Sequence, residues 1–279
     1  MIRVAIAGAS GRTGRCVVEA VLRDARFAVA AALTVADDPL CGSTVRLDAG
    51  EVRFTQELAA PCDVLIDFTL PAGTMHWLDR CLERKLPMVT GTTGLSPEQV
   101  ERLRSAGRVI PILSASNFSV GIQVLRELAV RAAQALGADF DIEIVETHHR
   151  HKADAPSGTA LSLLDDLLAA TGQPGRAGAT AERDRSTPEG DHTTAERNRA
   201  TFGREGRTGP RRPGEIGVHA VRMGEVVGEH VVHFSGPGET LTLTHTAHSR
   251  ATFAAGALRA AAWLVSRPPG YYTFADAFK

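Results

Sequence analysis

The chain has 279 residues, 31 of them basic and 32 acidic, with a formal net charge of −1 at pH 7. Such a balance exerts no long-range pull on nucleic acid or a membrane surface, so any anion site must be built locally. No apolar run approaches the roughly 20 residues of a membrane span, Met1 leads straight into a strand with no signal segment, and Cys16, Cys41, Cys62 and Cys81 lie far apart without a Cys-x-x-Cys pair, which together read as reduced thiols in a cytoplasmic protein.

Ile2 to Ala7 is a short apolar strand. Gly8-Ala9-Ser10-Gly11-Arg12-Thr13-Gly14 follows, and then Val17, Val18, Val21 and Leu22 recur at helical spacing. Strand, glycine turn and helix in that order form the phosphate-binding unit of a dinucleotide fold, where glycines let the backbone approach a pyrophosphate resting on the helix N-terminus. The spacing here is G-x-x-G-x-x-G. A second strand, Phe27 to Leu33, ends at Thr34. An NAD site usually places an acid there for the ribose hydroxyls and an NADP site a cation for the 2′-phosphate. Thr34 is neither, and Asp37 and Asp38 come three and four residues late. The choice between NADH and NADPH therefore stays open at this strand end.

The alternation continues. Val64 to Phe68 is a buried strand ending in Asp67-Phe68-Thr69, and the helix after Pro71 buries Met75, Leu78 and Leu82. Pro87 to Thr90 is a strand closed by Gly91-Thr92-Thr93-Gly94; Ser96-Pro97-Glu98-Gln99 is a capping box opening a helix; Val109 to Leu113 is a strand closed by Ser114-Ala115-Ser116-Asn117-Phe118. Strands that end in small polar clusters suit a Rossmann-like, doubly wound parallel sheet, whose ligands lie beyond the carboxyl ends of its strands. Gly91, Thr92 and Thr93, with Ala115, Ser116, Asn117 and Phe118, are candidates for the nicotinamide side of the cofactor.

From Ser119 a helix carries Val120, Val124, Leu125, Leu128, Ala132 and Leu136 to a C-cap at Gly137 and links two domains. Asp141 to Val145 alternates acidic and β-branched residues as a half-buried strand does, and Pro156 turns the chain into a helix near Gly158, lined by Leu161, Leu164 and Leu168. Between them stand His148, His149, Arg150, His151 and Lys152. Consecutive potential cations without a large apolar side chain are either a solvated turn or an anion site. Ser157-Gly158-Thr159 at a helix N-terminus favours the site. A metal reading of His148, His149 and His151 with Glu146 is the weaker one, because His149 and His151 share one side of an extended segment and His148 the other, so they converge only across a sharp bend, while Arg150 and Lys152 repel a cation.

Gln173 to Pro213, rich in Arg, Gly and Thr, reads as a long excursion whose arginines face water or close over an anionic ligand. Strands return at Ile216 to Met223, Val226 to Phe234 and Thr240 to Thr246. With Ile142 to Thr147 they make a second, mostly antiparallel sheet of about four strands. Its uncovered face calls for a partner subunit. The final helix, Thr252 to Val265, returns to the first domain.

Gly8-x-x-Gly11-Arg12-x-Gly14, Asp67-Phe68-Thr69, Gly91-Thr92-Thr93-Gly94, Asn117-Phe118-Ser119-Val120-Gly121 and above all Glu146-x-His148-His149-Arg150-His151-Lys152-x-Asp154-Ala155-Pro156-Ser157-Gly158-Thr159-Ala160 resemble the 4-hydroxy-tetrahydrodipicolinate reductase family of the diaminopimelate route to lysine. The chain departs from that pattern at Thr34, where many members carry an acid, and in the length of the stretch from about Gln173 to Gly203. The resemblance implies a Rossmann-like domain over residues 1–118 and 249–279. It also implies a smaller α+β domain over 119–248, whose open mixed sheet serves oligomerisation as a homotetramer, and hinges near 118 and 249. NADH or NADPH would be held by Gly8, Ala9, Ser10, Gly11, Arg12 and Thr13 at the pyrophosphate, by Thr34, and by Gly91 to Thr93 and Ala115 to Phe118 at the nicotinamide half. His148 would exchange the proton and Lys152 would be a second proton donor. His149, Gly158 and Thr159 would bind the carboxylates of a small cyclic dicarboxylate, with no nucleic acid, membrane or metal involved. Two rivals stand beside this reading: another nicotinamide-dependent reductase of the same layout, and a non-catalytic cofactor sensor.

Overall fold

The computed structural model describes residues 1–172 and 199–278. The chain divides into two compact units, Met1–Val120 joined by the C-terminal segment from Ser249, and Gly121–His248.

The first unit is built on β1 (Ile2–Ala7), β2 (Phe27–Leu33), the hairpin β3 (Thr44–Leu47) and β4 (Gly50–Thr55), β5 (Val64–Asp67), β6 (Met88–Thr90), β7 (Pro111–Ser114) and a late strand, Gly270–Tyr272. The late strand pairs in parallel with β7, and the order runs from it through β7, β6, β5, β1, β2 and β4 to β3, with only the β3–β4 pair antiparallel. Successive residues of β1 face opposite sides. Val4 and Ile6 pack against α1 (Arg12–Arg23) and the C-terminal helix (Ala251–Leu264), while Ala5 and Ala7 pack against α2 (Pro71–Arg84) and α3 (Pro97–Ala106). The sheet is thus buried on both faces, which explains its continuous apolar strands. The chain leaves β1 toward β2 on one side and resumes at β5 on the other. The carboxyl ends of β1 and β5 are therefore a topological switch point, where a crevice for a ligand opens.

The second unit carries α4 (Val120–Leu136), β8 (Asp141–His148), α5 (Gly158–Thr171), β9 (Ala200–Phe202), β10 (Ile216–Arg222), β11 (Gly228–Gly236) and β12 (Glu239–Ala247). Its sheet has the order β12-β11-β8-β10-β9. The β8–β10 and β9–β10 pairs are parallel and the other two antiparallel, so the sheet is evenly mixed. Ile142, Ile144, Ile216, Val218, Val232 and Phe234 on one face pack against Ile122, Leu125 and Ala129 of α4 and Leu163, Leu164, Leu167 and Leu168 of α5.

Several elements differ from the sequence expectation. The β3–β4 hairpin and the late strand, β13, are short strands absent from the sequence expectation; β4 adds to the edge of β2, β3 pairs with β4, and β13 adds to the edge of β7. Strand β9 makes five strands where four were expected and lies inside the stretch read as an excursion. The remainder of that excursion, residues 173–198, lies outside the described residues. In α4 the buried stripe is Ile122, Leu125, Ala129 and Ala133, whereas Val120, Val124 and Leu128 are exposed. Two overlapping apolar stripes run along this helix, and periodicity alone cannot choose between them. The C-terminal helix, α6, ends at Leu264 and buries Leu258, Ala261 and Leu264 as expected.

Candidate active site

In the first unit the glycine turn has the shape its sequence requires. Gly8 has φ +74°, and a Cβ there would stand 2.6 Å from the Phe68 carbonyl oxygen; a Cβ on Gly14 would stand 2.0 Å from the Gly8 carbonyl oxygen. Only glycine fits either place. Gly11 is the N-cap of α1 and contributes no side-chain cap, and the first turn carries no acid. Arg12 and Thr13 open the helix with Arg12 exposed, so no acid of its own first turn neutralises the backbone N–H groups and positive dipole end of α1. These features fit the pyrophosphate of a dinucleotide. The Ala9 amide donates to the Leu33 carbonyl at 3.0 Å and Ser10 Oγ lies 2.8 Å from Thr34 Oγ1, tying the turn to the end of β2.

A buried carboxylate organises the next strand ends. Asp67 Oδ1 accepts from the Thr69 amide at 3.0 Å and its hydroxyl at 2.6 Å, while Oδ2 accepts from the Thr74, Thr90 and Thr92 hydroxyls at 2.7, 2.8 and 3.1 Å. The loops after β5 and β6 are thereby one body, and Gly91 follows directly, its amide donating to the Asp67 carbonyl. Thr92 is buried in this cage, and Thr93 is exposed. After β7, Ala115 donates to the Thr90 carbonyl, Ser116 is exposed, and Asn117 Oδ1 accepts from the Ser119 amide at 2.7 Å. The Phe118 ring is core, edge-on to Phe68 and Phe274, which leaves its main chain as the part that can meet a ligand.

In the second unit the alternation of β8 continues past its apolar residues. Ile142 and Ile144 fill the core, and the next two positions on the same face are Glu146 and His148. Glu146 is fully buried; Oε2 lies 2.5 Å from His148 Nδ1 and accepts from Arg222 Nη1 at 2.9 Å, while Oε1 accepts from Arg222 Nη2 at 2.8 Å and from the Ser157 amide at 2.9 Å. Burial alone would raise the Glu146 carboxyl, but hydrogen bonds from His148, Arg222 and the Ser157 amide outweigh it and hold it at about 2. His148 presents its Nε2 edge above Gly228, where a Cβ would come within 3.1 Å of that nitrogen.

Behind His148 lies His230, only 2% exposed, with ring centroids 5.2 Å apart in an edge-on pair and Nε2 3.2 Å from Ser157 Oγ. Burial, then the neighbouring His148, pushes His230 down to about 3, so it is neutral at physiological pH. Ser157 also caps α5, accepting from the Ala160 amide at 3.2 Å, and Gly158 and Thr159 form the first positions of that helix. Lys152 Nζ lies 2.8 Å from both oxygens of Asp154. The His149 and His151 rings lie together at 6.3 Å, apart from the pair His148 makes with His230. Among the described residues no group of three or more His, Cys, Asp or Glu side chains is arranged to hold a metal ion, and no helix is long and apolar enough to cross a membrane.

Three contributors escaped the sequence reading: Arg222, His230 and the structural role of Asp67. Arg222 and His230 sit opposite His148 and Glu146 in the strand register, a signal that exists only once the strands are paired. Of the described arginines of the former excursion, Arg204 and Arg211 pair with Glu143, and Arg212 with Glu215 at 3.0 Å.

A dinucleotide-type sheet with an uncapped glycine turn, joined to a unit that sets a carboxylate-anchored histidine beside a helix N-terminus, defines a nicotinamide-dependent oxidoreductase. Residues 2–118 match the profile described as dihydrodipicolinate reductase, N-terminus, and residues 121–278 that of dihydrodipicolinate reductase, C-terminus; the chain belongs to this family. The 4-hydroxy-tetrahydrodipicolinate reductase of Psychrobacter arcticus is 39% identical, covering 99% of this chain and 94% of its own length, and that of Nitrosospira multiformis is 42% identical, covering 99% and 97%. The dipicolinate-bound dihydrodipicolinate reductase from Paenisporosarcina sp. TG-14 superposes with a TM-score of 0.70 at 25% identity, covering 98% of this chain and 97% of its own. A myo-inositol dehydrogenase from Corynebacterium glutamicum shares the fold alone, with a TM-score of 0.58 at 14% identity over 99% of this chain and 92% of its own.

Proposed function

We propose that the chain reduces 4-hydroxy-tetrahydrodipicolinate to tetrahydrodipicolinate with loss of water, using NADH or NADPH, in the diaminopimelate route to lysine, as a cytoplasmic homotetramer. The observation that carries the chemistry is the chain Arg222–Glu146–His148 ending beside the N-terminus of α5. A dicarboxylate needs anion sites, and His149 with Gly158 and Thr159 at the helix mouth supplies them. When bound, the nicotinamide supplies a hydride to the ring, and the hydroxyl departs with a proton as water. His148 exchanges the proton that balances this step, held in one orientation by Glu146. Lys152 offsets the negative charge that develops and serves as second proton donor. Gly8 to Thr13 hold the pyrophosphate, Thr34 marks the ribose end, and Gly91 to Thr93 with Ala115 to Phe118 hold the nicotinamide half. Residues 1–118 and 249–279 thus act as the cofactor domain and 119–248 as the substrate and assembly domain, with hinges near 118 and 249. The open face of the second sheet, with its exposed Thr240, Thr242 and Thr244, supports assembly.

The test is nicotinamide oxidation at 340 nm with substrate generated in situ from pyruvate and aspartate semialdehyde, and 2,6-pyridinedicarboxylate as competitor. Turnover inhibited by the dicarboxylate is expected. No turnover with either cofactor, despite intact nucleotide binding, would move the chain to another reductase or to a cofactor sensor.

A further inference from the structure

At the end of β2, where dinucleotide folds place the acid that meets the adenosine ribose, stands Thr34, 8% exposed. Its hydroxyl donates to Asp38 Oδ2 at 2.9 Å. Because that single proton is committed to Asp38, the 2.8 Å contact between Thr34 Oγ1 and Ser10 Oγ runs from the Ser10 hydroxyl to Thr34. Ser10 belongs to the glycine turn, so a line of two hydroxyls connects that turn to a carboxylate four residues after Thr34. The other oxygen, Oδ1, accepts from the Leu40 amide at 2.8 Å, and the Asp38 carbonyl accepts from the Cys41 amide at 2.9 Å. These bonds fix the turn and aim the carboxylate back over the strand end.

The Ser10–Thr34 hydroxyl pair and the Leu40 amide keep Asp38 below the usual carboxylate range, so it is ionised. Each carboxylate oxygen has two acceptor sites, so the donors around Asp38, Ser10, Thr34 and the Leu40 amide, leave at least one of the four for a ligand. Between Thr34 and Val45 the chain has no Lys or Arg; Arg15, on α1, is a cation that acts on Asp38. A turn needing only to close on itself has no use for the line through Thr34 to Ser10.

We propose that Asp38, positioned by Thr34 and Ser10, is the ribose-binding acid of this chain, accepting from the 2′-hydroxyl and repelling a 2′-phosphate, so that NADH is taken in preference to NADPH. This rests on the cofactor reading above and adds a residue that the strand-end position does not supply. A 2′-phosphate carries about −1.5 to −2 charge at neutral pH. Placed against a fixed carboxylate it costs on the order of tenfold or more in affinity.

Dissociation constants of NADH and NADPH, measured by nicotinamide fluorescence on the full chain without substrate, test this. Wild type should bind NADH at least about tenfold more tightly, and Asp38→Asn, which keeps the shape and removes the charge, should bring the two within about threefold. Thr34→Val, which removes only the positioning hydroxyl, should reduce the preference in the same direction, and it decides the matter should Asp38→Asn fail to fold. Wild type binding NADPH as tightly as NADH, or a folded variant keeping the full ratio, overturns the assignment. Binding of neither nucleotide to wild type overturns the cofactor reading itself, and the Asp38 assignment with it.

Discussion

Glu146 Oε2 lies 2.5 Å from His148 Nδ1 while Arg222 grips both oxygens of the same carboxylate. An ionised carboxylate can only accept, so His148 carries its hydrogen on Nδ1, and the proton exchange proposed for it falls to Nε2, the nitrogen above Gly228. Arg222 keeps Glu146 charged in a buried site, and Glu146 in turn gives His148 its tautomer and a counter-charge. Replacing Glu146 by Gln removes the charge with little change of volume. Turnover should fall by roughly 10- to 100-fold, because the imidazole loses the charged acceptor that fixes its tautomer and orientation. A folded variant with the wild-type rate would show that the pair is only structural.

Lys152 has its Nζ between the two oxygens of Asp154, 2.8 Å from each, which places its charge beside the loop that opens α5. The pair is half open to water and contributes little to stability. On the role proposed above, Lys152→Ala should leave the urea midpoint within experimental error and lower kcat by roughly 100-fold, the range of a lost proton donor. His148→Gln should lower kcat by a similar factor, with some loss of stability because buried Glu146 loses a partner. Wild-type turnover in both folded variants would remove these residues from the chemistry.

Asp67 is fully buried, and all five of its donors are neutral. Removing the carboxylate leaves hydroxyls from two loops facing one another without an acceptor. Asp67→Ala should therefore cost about 2–4 kcal/mol in urea unfolding. Thr74→Val, which deletes one donor of three on Oδ2, should cost about 1 kcal/mol. A loss for Asp67→Ala no larger than that for Thr74→Val would mean the loops are held by other contacts.

Legibility in the sequence followed the range of the interactions. Gly8 and Gly14 announced their turn because the steric demand is local, and the alternation through Ile142 and Ile144 already pointed Glu146 and His148 toward one face. The capping box at Ser96 and Gln99 is seen in both directions, at 2.9 and 3.3 Å. Arg222 was illegible because it comes 76 residues after Glu146 and meets it only through the β8–β10 register. His230 looked like any strand histidine until β11 set it opposite Glu146. In α4, residues on both faces are apolar, and tertiary packing rather than periodicity selected Leu125 over Val124. Asp38 was visible but out of place; a turn closed by the Leu40 and Cys41 amides returned it to the strand end.

His230 makes acid sensitivity a property of the second unit. Unfolded, its imidazole takes up a proton below 6.5, whereas in the folded protein burial and the nearby His148 hold it neutral down to about 3. Between those values the unfolded chain binds more protons, so the contribution of His230 is intact above pH 6.5 and is lost as pH falls, at up to about 1.4 kcal/mol per pH unit. Glu146 works lower: held at about 2 against an ordinary 4.5, it contributes stability above pH 4.5 that is lost only as pH falls toward 2. The interval from pH 6.5 to 4.5 therefore isolates the histidines. His219 and His245 are lowered too, chiefly by burial, and add to the wild-type slope, so the informative comparison is with a variant. Urea unfolding of wild type and His230→Gln at half-unit steps across that interval should show the variant less stable at pH 7 but with a slope smaller by up to about 1.4 kcal/mol per pH unit. Parallel slopes would mean that His230 is protonated in the folded protein or hydrated where the structure buries it.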